Sequence, residues 1–394
     1  MNCIGLDLGT GAIKGVCWND GKGILQSLFE RVAFAHPAPG HVEIDPAQYR
    51  AQVVRIIGEL AEAADAPVAG IAFAAASGNT LLCDAEGTPR TPIVSWLDTR
   101  LADWMPPEAW QVRRTTGWPR IPTFPLMHLE YFRRTAPELL RASQIAMNND
   151  FLTWALSGKH TLDASNAAPF YLWDQAAGRY ASYLEHYGIR PGQLPEIVAP
   201  GTPAGTLKQA YQGGNLTAET VVAAGSFDHP AGARAAQVFE PGDMLMSCGT
   251  SWVGFYPVRK REDVPENELC DTFRSASGGC WGAMFSVAKI GVEVEEFVRA
   301  RYGAAADRYE AFNAEARRAG SPARETMLAV IRRFKERFAR HPGIRRVVLS
   351  GGPSEGETWR ELIENELKTD VELSPYRSYT GAVGAAQIAG GITQ

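Results

Sequence analysis

Apolar and polar positions alternate in short runs from the start of the chain. Residues 2–8 (NCIGLDL), 12–18 (AIKGVCW) and 24–33 (ILQSLFERVA) each read as a strand, with turns at Gly9–Gly11 and Asn19-Asp20-Gly21. The period changes after Asp45-Pro46, an N-cap acid followed by a first-turn proline. From there Val53, Ile56, Ile57 and Leu60 mark one face of a helix that Ala66-Pro67 ends. VAGIAFAAA (68–76) is continuously apolar and reads as a buried strand, so the opening unit is β-β-β-α-β.

A related pattern returns in the second half. VVAAGSFD (221–228) reads as a strand running into a loop, and DMLMSCGTSWVGFYPV (243–258) as strand, small-residue turn and strand. RRVVLSGG (345–352) is a strand ending in Gly-Gly, GETWRELIENEL (356–367) a helix and DVELS (370–374) a strand. TGAVGAAQIAGG (380–391) is a helix of small residues that must pack closely on its neighbours. Both halves thus contain a hairpin with Gly-Thr at its tip, which predicts two domains of related build, about 1–238 and 239–394.

Composition narrows the function classes. With 394 residues, 45% hydrophobic and 21% charged, the chain has the content of an ordinary globular protein with room for two or three cores. A net charge of −5 argues against nucleic acid, which calls for a basic face. The one basic run, RRFKERFARHPGIRR (332–346), reads as a solvated helix face and its exit. Six cysteines in so long a chain make no disulfide framework, and no pair has C-x-x-C spacing. No signal peptide opens the chain, because Asp7 and Lys14 interrupt the apolar run, and no stretch nears the about 20 residues that span a bilayer. The expected location is cytoplasmic.

The chemistry concentrates in three glycine loops, each just after a strand. In GLDLGTGAIKG (5–15) the residues after Gly11 favour a strand, which argues against a dinucleotide loop that would open a helix. A Walker loop is excluded, since Lys14 lacks the glycine pattern before it and a Ser or Thr after it. What remains is a hairpin turn whose N–H groups can ring a phosphate, with Asp7 able to hold a hydrated Mg²⁺ and Lys14 adding a point charge. SCGTS (247–251) is a second tip of small hydrogen-bonding residues, and SGGP (350–353) a third, where missing side chains let a bulky ligand approach the backbone.

These loops, together with GHVEIDPAQYR (40–50), LLCDAEGTPRTPIVSWLDTR (81–100), NNDFLTWALSGKHTLDASNAA (148–168), VAAGSFDHPAGA (222–233) and TGAVGAAQIA (380–389), resemble the FGGY carbohydrate kinases of the sugar kinase, actin and heat-shock ATPase fold. The resemblance implies an α/β protein of two actin-like (ribonuclease H-like) domains around an interdomain cleft. It implies ATP and Mg²⁺, with Asp228 as the general base toward a substrate hydroxyl and Asp7 and Asp228 facing the metal. Gly9, Thr10 and Lys14 would face the γ-phosphate, Gly249 and Thr250 the inner phosphates, and Gly351 and Gly352 the adenosine. Trp96, Asp98 and Arg100 match the family's W-x-D-x-R stretch and, with Asp150, are expected at the sugar. Asp228 also fits a helix N-cap, and Asp163 reads equally as a turn former.

The chain departs from the family pattern in places. Ala74–Gly78 stands where Ser-Gly-Gln-Met-His is common, so Ser77, Gly78 and Asn79 would have to contact the sugar. Leu97 replaces an Asn, and in TFPLMHLEYF (123–132) His128 and Tyr131 replace Lys and Trp. The second domain lacks a usual segment between about 283 and 325, so it is expected to be shortened. The expected substrate is a ketose of the xylulose or ribulose kind, though the lost Gln-Met-His contacts weigh against a plain xylulose kinase. A polyol such as glycerol or erythritol is the alternative, and a non-catalytic ATP-binding regulator the rival reading. A homodimer is left open; neither nucleic acid nor membrane is expected as a partner.

Overall fold

The computed structural model describes residues 1–107, 109–118, 125–168, 172–275 and 278–391. Its contacts group into two units. The first comprises Met1–Ala231, Leu269–Thr272 and the segment from Gly381; the second comprises Gly232–Glu268 and Phe273–Thr380. The first change of unit falls between Ala231 and Gly232, and two later segments return to the first unit. Thr123 and Phe124 of the 123–132 stretch lie outside the described residues.

The first unit forms in the order its pattern dictates. Strands β1 (Asn2–Leu8), β2 (Ala12–Asn19) and β3 (Gly23–Arg31) make an antiparallel meander. Helix α1 (Pro46–Glu62) starts at Asp45, whose side chain accepts from the N–H groups of Ala47 and Gln48. It leads to β4 (Val68–Ala75), which runs parallel to β1. Helix α2 (Asn148–Ser157) and β5 (Pro203–Thr206) follow. Where a strand running into a loop was expected over 221–228, two short strands stand, β6 (Val221–Ala223) and β7 (Ser226–Phe227), both parallel to β4. The sheet order is β5-β6-β4-β1-β2-β3, with β7 also on β4. Val53, Ile56, Ile57 and Leu60 are buried with Ile4, Leu6 and Phe73 in one core, each such side chain contributing about 1.5–3 kcal/mol.

The second unit repeats this plan. After α3 (Asp228–Ala235), strands β8 (Asp243–Cys248), β9 (Trp252–Val258) and β10 (Trp281–Val287) form the meander. Helices α4 (Ile290–Tyr302) and α5 (Pro322–Phe338) lead to β11 (Arg346–Gly351), parallel to β8. Helix α6 (Glu357–Leu367) then leads to β12 (Asp370–Leu373), parallel to β11. The basic run is a solvated helix face as expected, with Arg332 and Lys335 paired to Glu366.

The last helix, α7 (Thr380–Ala389), packs as its composition requires. A Cβ on Gly5 of β1 would lie 2.0 Å from the carbonyl oxygen of Ala382, so this contact is backbone against backbone. Ala382, Ala385 and Ala386 are fully buried there. All six cysteines are free thiols, and no helix among the described residues is long and apolar enough to cross a membrane.

Candidate functional site

Strand register brings the first carboxylates together. Asp7 stands opposite Lys14 across the first hairpin and beside Ala74 of β4. Ser226 of β7 flanks Ala74 on its other side, which sets Asp228 at the head of α3 one strand away from Asp7. Burial pushes Asp7 up to about 6; Lys14 pulls it down and Asp228 adds to the rise. Burial likewise pushes Asp228 up to about 7, against the backbone N–H of His229, which donates to its Oδ1 at 2.8 Å. The Asp228 side chain keeps 22% of its surface open, so it is recessed yet reachable.

Sequence reasoning missed two neighbours of this pair. His229, with Nε2 3.6 Å from Asp228 Oδ1, is driven down to about 4 by burial and so stays neutral. Gly381, in the first turn of α7, lies against Asp7: a Cβ there would be 3.0 Å from Oδ2. The run of small residues in 380–391 announced close packing, but nothing in it pointed to a carboxylate.

Asp7, which feels the charge of Asp228, and Asp228 itself are the carboxylates that could hold Mg²⁺, which takes one or two carboxylates and fills its remaining positions with other oxygens. Among the described residues no group of three metal-ligating side chains exists. A hydrated ion bridged to substrate phosphates fits this donor set; a dedicated protein cage does not.

The expected sugar residues divide into two groups. Asn79 and Trp96 come together with Thr10 of the phosphate hairpin: Trp96 N donates to Asn79 Oδ1 at 3.0 Å, and its Nε1 donates to Thr10 Oγ1 at 3.0 Å. Ser77 and Gly78 sit just before them, Gly78 with φ +104°. Ser77 Oγ donates to Asn166 Oδ1 at 2.7 Å, and Asn166 Nδ2 donates to Asp163 Oδ2 at 2.7 Å. Asp163, fully buried, caps the turn Ala164–Ala167, and burial pushes it up to about 7. Asp163 is thus a turn former that also supports the Ser77 loop through Asn166.

Asp98 and Asp150 are turned to other work. Asp98 Oδ1 accepts from Arg100 N (2.9 Å) and Nε (2.8 Å), and Oδ2 from Val42 N (2.8 Å) and Arg100 Nη2 (2.7 Å). Four donors fill the roughly four lone-pair sites of a carboxylate. Arg100 also reaches Glu43 at 2.7 Å and lies over the Tyr131 ring. Asp150 accepts from Met147 N at the start of α2 and from His160 Nε2 at 3.0 Å, with no exposed surface. It is bonded to no other expected site residue. His128, where the family has Lys, is buried beside Thr80 and pushed down to about 3, hence uncharged.

In the second unit the other two loops are neighbours. Cys248 pairs with Gly351 in the β8–β11 register, and Gly351 has φ +88° with room for no side chain: a Cβ would lie 2.2 Å from the Cys248 carbonyl oxygen. Gly249, Thr250 and Gly352 are exposed, so backbone is presented to solvent along both turns. Gly291, at the start of α4, supports the first turn by donating to the Thr250 carbonyl at 3.0 Å. A Cβ on it would lie 2.1 Å from the Gly249 oxygen. A lone glycine in a helix's first turn was its only sequence signal.

Two units of related build, each with a hairpin meander continued by parallel strands, define the actin-like ATPase fold. The profile of the FGGY family of carbohydrate kinases, N-terminal domain, matches residues 2–234, and the chain belongs to that family. It is 27% identical over 245 residues to a xylulose kinase of Streptomyces rubiginosus, covering 60% of this chain and 50% of that one. It is 28% identical over 261 residues to a xylulose kinase of Escherichia coli, covering 64% and 53%. The chain thus spans about half the length of the curated relatives it matches. The crystal structure of xylulose kinase from Rhodospirillum rubrum has the same fold, with TM-score 0.83 at 20% identity over 99% of this chain and 89% of that one.

Proposed function

We propose that the chain is an ATP-dependent kinase that transfers the γ-phosphate of ATP to a hydroxyl of a small sugar, a ketose of the xylulose class. The observation that carries this reading is Asp228. It is a recessed but reachable carboxylate, raised to about 7 by burial, next to Asp7 and a neutral histidine. A general base works best with a pKa near the working pH. The resemblance to xylulose kinases supports the substrate class.

In this reading Asp228 accepts the proton of the attacking hydroxyl as its oxygen bonds to the γ-phosphorus. The bond from that phosphorus to the β,γ-bridging oxygen breaks, and ADP leaves. The backbone N–H groups at Gly9, with Thr10 and Lys14, hold the transferring phosphoryl group; positioning and charge stabilisation are what such transfer needs. Gly249 and Thr250 hold the inner phosphates, and Gly351 and Gly352 leave the backbone open to the adenosine. Asp7 and Asp228 would hold Mg²⁺, which supplies neutralisation of phosphate charge. Ser77, Gly78, Asn79 and Trp96 line the sugar side. Asp98 and Arg100 brace that side by locking Val42 and Glu43 to the turn after Ser95. Free thiols throughout suit the reducing cytoplasm.

The test is ADP release with Mg·ATP and D-xylulose, D-ribulose, glycerol or erythritol as acceptor. A rate that depends on a ketose, and falls by at least about a hundredfold in Asp228→Asn, is expected. A rate with glycerol alone would move the substrate class to polyols. ATP binding with no acceptor turned over would leave a regulatory protein.

A further inference from the structure

An indole N–H is a donor only, so the 3.0 Å bond between Trp96 and Thr10 has one direction: Thr10 Oγ1 accepts. The hydroxyl's own proton must then go elsewhere, and no described residue accepts it. A hydroxyl that already accepts a hydrogen bond is polarised into a better donor. Thr10 lies at the tip of the β1–β2 hairpin, where the proposed phosphate would sit.

Trp96 is itself held. Its backbone N–H is bound by Asn79 Oδ1, and Asn79 is only 6% exposed. Asn79, Trp96 and Thr10 therefore tie the loop after β4, the turn after Ser95 and the hairpin tip into one line. Trp18 provides the contrast: it is buried in β2 with its Nε1 unpartnered, as a purely packing indole can be.

We infer that Trp96 is a positioning residue for the phosphate hairpin, fixing Thr10 so that its hydroxyl proton is reserved for an oxygen of the bound triphosphate. This rests on the ATP-kinase reading and adds to it a role for Trp96 apart from its ring.

The test uses the full chain and measures Mg·ATP affinity by calorimetry without sugar, with thermal melts in parallel. Trp96→Phe keeps an aromatic ring, smaller than the indole, and removes the N–H; Thr10→Val keeps the shape and removes the hydroxyl. Each is expected to weaken Mg·ATP by about three- to tenfold, the loss of one hydrogen bond. The double variant should bind no more weakly than Thr10→Val alone, because the two act as a unit. Thr10→Ser should restore near wild-type binding. Trp96→Phe binding ATP like wild type overturns the inference. So does a Trp96→Phe loss that is equally large in the Thr10→Val background, since that is packing. A wild type that binds Mg·ATP with this pattern but phosphorylates nothing supports the inference and sinks the kinase reading. A wild type that binds no Mg·ATP sinks both.

Discussion

Gly381 presses on Asp7: a Cβ at position 381 would stand 3.0 Å from Oδ2 and 3.1 Å from Cγ of that carboxylate. Gly381→Ala should therefore displace Asp7 while leaving the helix itself sound, since alanine is the better helix former. Turnover is expected to fall by about ten- to a hundredfold, as small misplacements at reacting centres do. ADP-release kinetics beside a melting curve would check this. Unchanged kinetics would show that the carboxylate has room to yield or no part in turnover.

Asp228 gives a pH signature with two opposite signs. As a base it must be ionised, so kcat/KM should rise with pH through about 7 and level off above. For stability the direction reverses. A folded pKa raised above the unfolded value means the native state holds the proton more tightly, so the cost of burying the charge grows from about pH 4 to 7. Asp228→Asn should thus be inactive yet melt higher than wild type at pH 8, with the difference shrinking toward pH 4. An equal offset at both pH values would contradict the burial argument.

The Asp98–Arg100 pair predicts a structural phenotype. Their side chains are 0% and 6% exposed. Removing one partner strands the other, so Asp98→Ala should cost about 3–5 kcal/mol in denaturant unfolding. Burial opposes the charge on Asp98, but the bonds from Arg100 and Val42 outweigh it and hold its carboxyl below the usual range. The pair's contribution is therefore present at neutral pH and lost only in acid, as pH falls through that depressed value. Were Asp98 instead a sugar ligand, Asp98→Asn would raise the sugar KM and leave unfolding unchanged.

Gly291 offers a probe of the second unit's loops. Gly291→Ala would drive a Cβ into the Gly249 carbonyl oxygen, 2.1 Å away. We expect ATP affinity, read by calorimetry, to drop at least about tenfold, because the Gly249–Thr250 turn must move. The first unit's melting should be unaffected. Wild-type affinity in this variant would remove the 249–250 turn from the nucleotide site.

Much of the plan was legible along the chain. The β-β-β-α-β opening, the second meander and the close-packed final helix all appear where periodicity and small residues put them, because each depends on local pattern. The second short strand, Ser226–Phe227, was not legible: Gly225 marks the break and reads as the start of a loop, and the renewed pairing with β4 is a tertiary contact. Nor were the return of Leu269–Thr272 and the segment from Gly381 to the first unit. Such returns are long-range contacts without a local signature.

For the site, the sequence alone determined the chemistry on offer: three glycine turns after strands, with Asp7, Lys14 and Asp228 beside them. Residue type and turn propensity are local properties, so a sequence can carry them. Which acids are left with capacity to act was decided by the tertiary structure. Asp98 and Asp150 match family acids as well as Asp228 does, yet their oxygens are taken up by Arg100, Val42, Met147 and His160. Asp228 accepts from the backbone N–H of His229 and its own, makes no side-chain hydrogen bond among the described residues, and keeps an open flank. A carboxylate's hydrogen-bond partners and its desolvation are set by what folds against it, and no stretch of sequence around it carries that information.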